Sequence, residues 1–230
     1  MRSERKQGLG HSQLDLIVRF QRKVEAAHRI VLQNLGSLAS YQSELNAPEM
    51  RLIVMALDPP EAEAFFDRAS QSFGNFLNSC YSMQEAVKAN LPKTRTRVAR
   101  FWDPVESKYK QLTGDEVSQL VYDLRTISVH DPPINCSFMQ SLSGVSGELS
   151  IIVSQHSLAS ARGIVHDVTK RLATGAGRIG VVDLATAYAG RATDFVEYCF
   201  NHLGAARETA LILDRGSDEA AERLRAELLP

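Results

Sequence analysis

The feature that most constrains the fold of this chain is a long apolar stripe close to its start. Its members recur at steps of three and four or their sums: Leu14, Ile17, Val18, Val24, Val31, Leu32, Leu35, Leu38 and Leu45. This spacing is typical of one face of an amphipathic α-helix. Ser12 is a suitable N-cap ahead of the stripe, and Pro48 requires the helix to end before it. A helix of about 30 residues indicates a helical bundle rather than a mixed sheet.

Further helical patterns follow along the chain, and "PEAEAFF" carries acidic residues in its first turn, as the helix dipole prefers. Their predicted extents are about 60–90, 104–112, 113–130, 156–173 and 181–212. Short β-favouring runs on either side of "SGVSG" predict a small hairpin, with strands at about 134–142 and 147–153. We therefore expect a mainly α protein: a bundle of four to five helices, with two long antiparallel helices and a small inserted β-hairpin at about 134–153.

Length and the lack of a clear linker favour one domain. A chain of 230 residues fits one large domain or two small ones. We expect a flexible N-terminal tail at 1–12, a single helical domain over 13–213, and a charged C-terminal tail or short helix at 214–230.

Composition restricts the partners and the compartment. The formal net charge of -1 gives no strong field toward nucleic acid or acidic lipid, although it is compatible with a local basic patch. The cysteines at 80, 136 and 199 are odd in number and widely spaced, which argues against a disulfide framework and a structural zinc site. We therefore expect the protein to be located in the reducing cytoplasm. The polar N-terminus lacks the apolar core of a secretory signal, and no apolar run approaches transmembrane length, so no membrane partner is expected.

No motif predicts a metal ion or a cofactor. "GAGRIG" (175–180) matches G-x-G-x-x-G, but a helical pattern precedes it where the dinucleotide fingerprint requires a strand. A turn between helices is therefore the better interpretation, with Gly175 just past a helix end. The six histidines show no HxxxH or HExxH spacing, and His156 and His166 lack an evident third ligand. There is no nucleophile elbow and no P-loop.

The run "YDLRTISVHDPPIN" (122–135) places Arg125 and His130 at the end of a predicted helix. Arginine offers a permanent planar charge suited to phosphate, and histidine moves protons near neutral pH. Together they can support metal-independent RNA cleavage, with Arg125 stabilising the phosphoryl charge and His130 acting as acid and base. In a straight helix the two would lie about 140° apart, so they converge only where the helix ends. A symmetric dimer could bring two such pairs together.

The alternative gives both residues structural roles. Arg125 would pair with an acid elsewhere in the bundle, and His130 would bond the last-turn carbonyls or act as a favourable cation at the helix C-terminus. An isolated R-x4-H string is common by chance, so residue types alone favour this alternative.

A basic cluster in "KTRTRVARFWDP" is the second candidate site. Lys93, Arg95, Arg97 and Arg100 precede Phe101 and Trp102, and basic residues beside aromatic ones can hold phosphates and stack bases. In the competing interpretation the cluster is a solvated loop, and the two aromatic side chains turn into the core.

The run "LRTISVHDPPI" resembles the R-x4-6-H motif of HEPN proteins, which are helical bundles. It is similar to a group of uncharacterised bacterial HEPN-like proteins in which a leucine precedes Arg-Asn-Tyr-x-x-His and a Leu-Pro-hydrophobic loop leads into short strands. The matching positions are Leu124, Arg125, His130, Pro133 and Ile134. The resemblance covers roughly residues 60 to 210. It implies a HEPN-like bundle, a homodimer, and RNA as the partner, with Arg125 orienting the scissile phosphate and His130 moving protons.

The chain departs from this motif directly after the arginine. Active HEPN ribonucleases usually carry a polar residue there, often Asn or Asp, whereas this chain has Thr126 followed by Ile127. Two hypotheses follow. One is a HEPN-like protein acting on RNA, either as a metal-independent endoribonuclease or as a relative that kept the cleft and lost activity. The other is a non-catalytic helical dimerisation or interaction protein with a degenerate motif.

Overall fold

The structure is a computed structural model. It describes residues 4–55, 59–93, 98–130, 134–140, 147–159, 161, 164–174 and 178–215. Within these ranges, the side chains at 4–12, 59, 130, 155, 159, 210 and 212–215 lie outside the description.

The described residues form eight helices and two strands. In chain order these are α1 (Glu4–Leu45), α2 (Pro48–Met55), α3 (Pro59–Asn90), α4 (Ala99–Gly114), α5 (Glu116–His130), β1 (Cys136–Gln140), β2 (Leu149–Val153), α6 (Gln155–Ala159), α7 (Asp167–Thr174) and α8 (Val181–Arg215).

The mainly helical fold with a small antiparallel sheet is confirmed, but the helices differ from those predicted in number and extent. α1 begins at Glu4, well before the start predicted near Ser12, and α4 extends beyond 104–112 on both sides. The described helices outnumber the predicted four to five because α2, of 8 residues, is not among the predicted helices and because α6 and α7, of 5 and 8 residues, lie where the pattern predicts one helix. Helices this short hold too few repeats for an apolar period to reveal them.

The prediction of one helix over 156–173 is wrong. The structure has two short helices there, α6 and α7, and residues 164–166 between them are not helical. The β-branched Ile164 and Val165 have only modest helix propensity. The start of α7 is fixed by a tertiary contact, because the backbone N–H of His166 donates to the Asp123 carboxylate at 3.0 Å.

The hairpin is confirmed as two antiparallel strands, paired from Cys136 with Val153 to Gln140 with Leu149. Side chains of α1 satisfy part of the other edge of β2. Asn46 bonds both the N–H and the carbonyl of Leu149, at 3.0 and 2.8 Å, and Gln42 accepts the N–H of Ile151 at 3.0 Å. The backbone just before α8 continues this edge, because Ile152 bridges Gly180 and the N–H of Val153 donates to the carbonyl of Ile179 at 2.9 Å. These groups take the place of a neighbouring strand.

The chain divides into two compact units. Unit 1 consists of Met1–His28, Met83–Thr113 and Ala192–Pro230, and unit 2 of Arg29–Ser82 and Gly114–Arg191. Each unit has its own buried apolar side chains, among them Phe20 and Trp102 in unit 1 and Phe73 and Tyr188 in unit 2. The single domain over 13–213 stays a prediction.

None of the helices, as far as the structure describes them, combines the length and the apolar character needed to cross a membrane.

Candidate functional site

The first predicted site residue, Arg125, lies on α5 and is half-buried. Its guanidinium carbon lies 4.1 Å from the centre of the Tyr81 ring, a cation–π contact. Its Nε atom is buried and has no hydrogen-bond partner among the described residues. A buried polar atom without a partner is rare and calls for an explanation, of which a missing ligand is one.

The structural alternative for Arg125 required an acidic partner. Across the part of the chain that the structure describes, no carboxylate pairs with this guanidinium. The acids at the start of the same helix pair with other arginines: Asp115 with Arg191 at 2.8 Å and Glu116 with Arg171 at 2.9 Å. Arg125 therefore keeps a positive charge that no described carboxylate neutralises.

The second predicted site residue, His130, is the last residue of α5. Its side chain lies outside the described residues, as do Asp131 to Pro133 after it. The convergence of Arg125 and His130 stays a prediction. The hydroxyl of Thr126, at the position after the arginine, donates to the carbonyl of Tyr122 at 3.0 Å, so it is occupied within the helix.

The predicted basic cluster is only partly within the description. Lys93 and Arg100 are exposed, whereas Arg95 and Arg97 lie outside the described residues. Phe101 and Trp102 are both buried, as the competing interpretation expected. Neither ring is therefore accessible for stacking on a base.

Arg125 belongs to a larger group of side chains in unit 2, which we call the Arg125 cluster: Tyr81, Tyr122, Asp123, Arg125 and His166. The rings of Tyr81 and Tyr122 are 6.4 Å apart and tilted, and the Tyr122 ring meets the His166 ring edge-on at 5.9 Å. Tyr122 and Arg125 are three residues apart on α5, so they lie on one face of the helix. Tyr122 is 41% exposed, which leaves its ring accessible to a ligand.

Asp123 is the buried anchor of this cluster. Asp123 is 0% exposed, and both of its carboxylate oxygens form hydrogen bonds with His166. One oxygen accepts the His166 backbone N–H at 3.0 Å and the other lies 2.8 Å from Nδ1 of the imidazole. With hydrogen on Nδ1, the second ring nitrogen, Nε2, is left without a hydrogen-bond partner among the described residues.

The sequence carried one signal for this anchor. Asp123 lies three residues after Leu120 and four before Ile127, both buried, and so falls on the apolar side of α5. A carboxylate in such a position requires a hydrogen-bonding partner. Nothing in the sequence pattern identifies His166 as that partner, because the two residues are brought together only by the packing of α7.

A second basic surface lies in unit 1, in an open groove of about 670 Å³ that we call the α1 groove. Four basic residues line it over an apolar floor that includes Leu14 and Val18: Arg19, Arg22, Lys23 and Arg207. Asp15 is the acidic residue of its lining. None of the four cations forms an ion pair with a described residue. Three of them occur within five residues of α1, so their mutual repulsion favours an anionic partner.

A smaller pocket in unit 2, of about 330 Å³, has the opposite charge. Glu63 and Asp67 line it together with Phe66 and Phe138, whose rings stack at 5.8 Å. Its carboxylates make it a poor site for phosphate.

The cysteines and possible metal ligands add no further chemistry. Burial raises the pKa of Cys136 to about 11 and that of Cys199 to about 12, and it also raises the pKa of Cys80 well above its usual value. These thiols therefore stay protonated and are poor nucleophiles near neutral pH. Within the described ranges, no three His, Cys, Asp or Glu side chains are grouped closely enough to hold a metal ion.

Comparison of the chain with family models, with curated proteins and with solved structures gives no significant match.

Proposed function

We propose that this protein is a HEPN-like RNA-binding protein and a metal-independent endoribonuclease, with the Arg125 cluster as its site. The observation that carries the proposal is the guanidinium of Arg125, which has no described carboxylate partner and packs against an aromatic ring. A half-buried guanidinium of this kind binds phosphate well because desolvation strengthens the interaction. In this role Arg125 holds the scissile phosphate, and His130 transfers protons.

The aromatic side chains support RNA rather than a free phosphate as the ligand. Tyr122 presents an exposed ring one helical turn before Arg125. Single-stranded RNA is recognised by stacking of its unpaired bases on aromatic rings and by contacts to its backbone. A base stacked on Tyr122 would place its own phosphate within reach of Arg125.

The α1 groove supports the same class of ligand through charge. Its basic residues give a local positive surface on a chain whose formal net charge is only -1. Backbone phosphates bind such surfaces without regard to sequence. We assign affinity to the groove and chemistry to the Arg125 cluster.

The proposal includes a homodimer in which two Arg125 clusters face one cleft. Two apolar side chains near the cluster, apart from the Tyr122 ring assigned to the base, are exposed: Val129 and Val165. Val129 lies four residues after Arg125 on α5 and therefore on the same face of the helix. A second copy would cover these side chains, and light scattering on the purified protein measures whether it does.

The test uses single-stranded RNA in EDTA, with cleavage followed on gels and binding by fluorescence anisotropy. We expect Arg125→Ala to weaken binding and to lower the cleavage rate about 100-fold, because a charge-assisted contact to the transition state is lost. Arg125→Lys should restore only part of the activity, since an ammonium lacks the planar fork. The matched control is Arg68→Ala, whose guanidinium already pairs with Glu44 at 3.5 Å and lies 6.0 Å from the Phe65 ring.

The results separate the two hypotheses. Cleavage in EDTA that both Arg125→Ala and His130→Ala abolish supports the endoribonuclease. Binding without cleavage, sensitive to Arg125→Ala, indicates a relative that kept the cleft and lost activity. An Arg125→Ala variant with unchanged RNA affinity would contradict the proposal and leave the helical interaction protein.

A further inference from the structure

We propose that His166 is the proton acceptor of the Arg125 cluster and that Asp123 is the positioning residue that holds its imidazole. This inference rests on the proposed RNA function. It adds a catalytic histidine that the R-x4-H spacing does not contain.

The first argument is the geometry of the Asp123–His166 contact. Both oxygens of one fully buried carboxylate bond one residue, through its backbone N–H at 3.0 Å and its imidazole Nδ1 at 2.8 Å. Two bonds from a rigid helix fix both the position of the residue and the direction of the ring. A carboxylate on Nδ1 also selects the tautomer in which Nε2 carries the lone pair, which is the form that accepts a proton.

The second argument is the exposure of the ring. The side chain of His166 is 28% exposed, whereas its partner is completely buried. The carboxylate therefore lies in the interior while part of the imidazole reaches the surface next to Tyr122, whose ring it meets at 5.9 Å. A nucleotide stacked on Tyr122, with its phosphate on Arg125, would present its 2′-hydroxyl to this side of the cluster.

Capping of α7 does not account for the orientation of the His166 ring. His166 precedes the first residue of α7, and its carbonyl accepts the N–H of Lys170 at 3.2 Å, so it is the N-cap residue. The side chains preferred at this position are Ser, Thr, Asp and Asn, which bond the free N–H groups of their own helix. The imidazole instead turns away to Asp123. The ring contact satisfies the second oxygen of the buried carboxylate, and it also holds the imidazole in one orientation at the surface.

The chemical step balances without a metal ion or an oxidant. Nε2 of His166 accepts the proton of the 2′-hydroxyl, and the 2′ oxygen forms a bond to the adjacent phosphorus. The bond from phosphorus to the 5′ oxygen breaks, and that oxygen takes a proton from water, while Nε2 returns its proton to the hydroxide left behind. The products are a 2′,3′-cyclic phosphate and a 5′-hydroxyl. The substrate class is therefore RNA, since a 2′-deoxy nucleotide at the scissile position has no proton to give.

The experiment compares His166→Ala, Asp123→Asn and Arg125→Ala with the wild-type chain in EDTA, on a labelled single-stranded RNA. His156→Ala is the matched control, because His156 is exposed on the neighbouring α6. We expect His166→Ala to lower kcat about 100-fold, as loss of a general base does, while RNA affinity stays within about threefold. Free imidazole should restore part of the lost rate. Asp123→Asn should lower kcat at nearly constant KM.

Two readouts separate chemistry from folding. Circular dichroism and thermal unfolding report whether each variant is folded, and nitrogen NMR reports which ring nitrogen of His166 carries hydrogen. In the wild-type chain we expect hydrogen on Nδ1, and in Asp123→Asn a mixture of tautomers. A folded His166→Ala variant with wild-type kcat overturns the inference, and so does a loss of rate that only parallels loss of folded protein and that imidazole does not restore.

The outcomes also separate this inference from the proposed function. If Arg125→Ala loses binding and cleavage while His166→Ala cleaves normally, the RNA function stands and the role of His166 is overturned. If the wild-type chain neither binds nor cleaves RNA, the proposed function fails, and the role of His166 in it fails with it.

Discussion

Two buried polar contacts, one in each unit, differ in how far they reach toward solvent. In unit 1 the indole N–H of Trp102 donates to the side-chain oxygen of Gln13 at 3.2 Å, and both residues are buried. In unit 2 the buried Asp123 bonds His166, whose ring is partly exposed. The first contact has no polar group at the surface, so it can only hold elements together. The second contact reaches solvent, and so it can also act on a ligand.

The surroundings of the two contacts differ in the same sense. Trp102 is 0% exposed and packs edge-on against Phe20, with 5.4 Å between the ring centres. His166 packs edge-on against a ring that solvent reaches, that of Tyr122. Similar aromatic geometry thus lies in the core in unit 1 and at the surface in unit 2.

The largest expected effect on the free energy of unfolding comes from the buried Gln13–Trp102 contact of unit 1. Trp102→Ala should lower the free energy of unfolding by about 3–5 kcal/mol, because it removes a fully buried aromatic side chain and leaves a cavity. Trp102→Phe, which keeps most of the volume but not the N–H, should cost less. Urea unfolding followed by circular dichroism measures both. A loss of unfolding free energy below about 1 kcal/mol for Trp102→Ala would show that Trp102 is not part of the core of unit 1.

The Asp123–His166 contact of unit 2 should also stabilise the fold, but less than the Gln13–Trp102 contact does. Asp123→Ala should lower the free energy of unfolding by about 2–4 kcal/mol, because the N–H and the imidazole of His166 lose a buried charged acceptor. Asp167→Ala is the matched control, since that carboxylate is 86% exposed and should change little. Equal small effects of the two variants in thermal unfolding would show that Asp123 is not an anchor.

Variants of the α1 groove test whether its positive charge affects RNA affinity without affecting the cleavage rate. Replacing Arg19 and Arg22 by Gln should weaken RNA binding about tenfold at low salt and reduce the slope of log affinity against log salt by about 1.4, if each contacts one phosphate of a single strand. The rate of cleavage of bound RNA should not change. Lys88→Gln is the control, because Lys88 pairs with Glu85 at 3.7 Å. An unchanged salt slope would remove the groove from the binding surface.

The smallest effect concerns a buried histidine in unit 1 that the proposed chemistry does not use. Burial lowers the pKa of His28 below its ordinary value of 6.5, an effect that Glu197 partly opposes, and its Nε2 lies 3.0 Å from the Thr193 hydroxyl oxygen. Below pH 6.5 the unfolded chain binds a proton that the folded chain does not, so stability falls as the pH falls toward the lowered folded value. His28→Gln should flatten this slope in unfolding curves between pH 7 and 5. A steeper slope would show the opposite shift.

Local pattern was sufficient for the long elements. The stripe from Leu14 to Leu45 predicts α1, and the first-turn acids and the apolar repeat after Pro60 predict α3. The β-favouring runs around "SGVSG" predict the two strands. In each case many residues repeat one signal, and the signal comes from burial of one face, which neighbours along the chain already specify. The HEPN-like character of the bundle stays a prediction.

Local sequence pattern could not predict the contacts between segments that are distant along the chain. Gln42 and Asn46 look like ordinary polar residues of a helix, yet they complete the edge of β2. His166 looks like the interior of a predicted helix, yet it begins one. Each depends on two hydrogen bonds to residues 43 to 109 positions away in the chain, which no periodicity encodes.

The sequence by itself determined where the longer helices lie and that Arg125 is on one of them, because amphipathic repeats and the proline after His130 act over one or two helical turns. Only the tertiary structure decided that Arg125 rests on Tyr81 with no carboxylate partner among the described residues, and that Asp123 orients His166. The physical reason is that a buried charge takes whichever donor the packing of another helix brings to it.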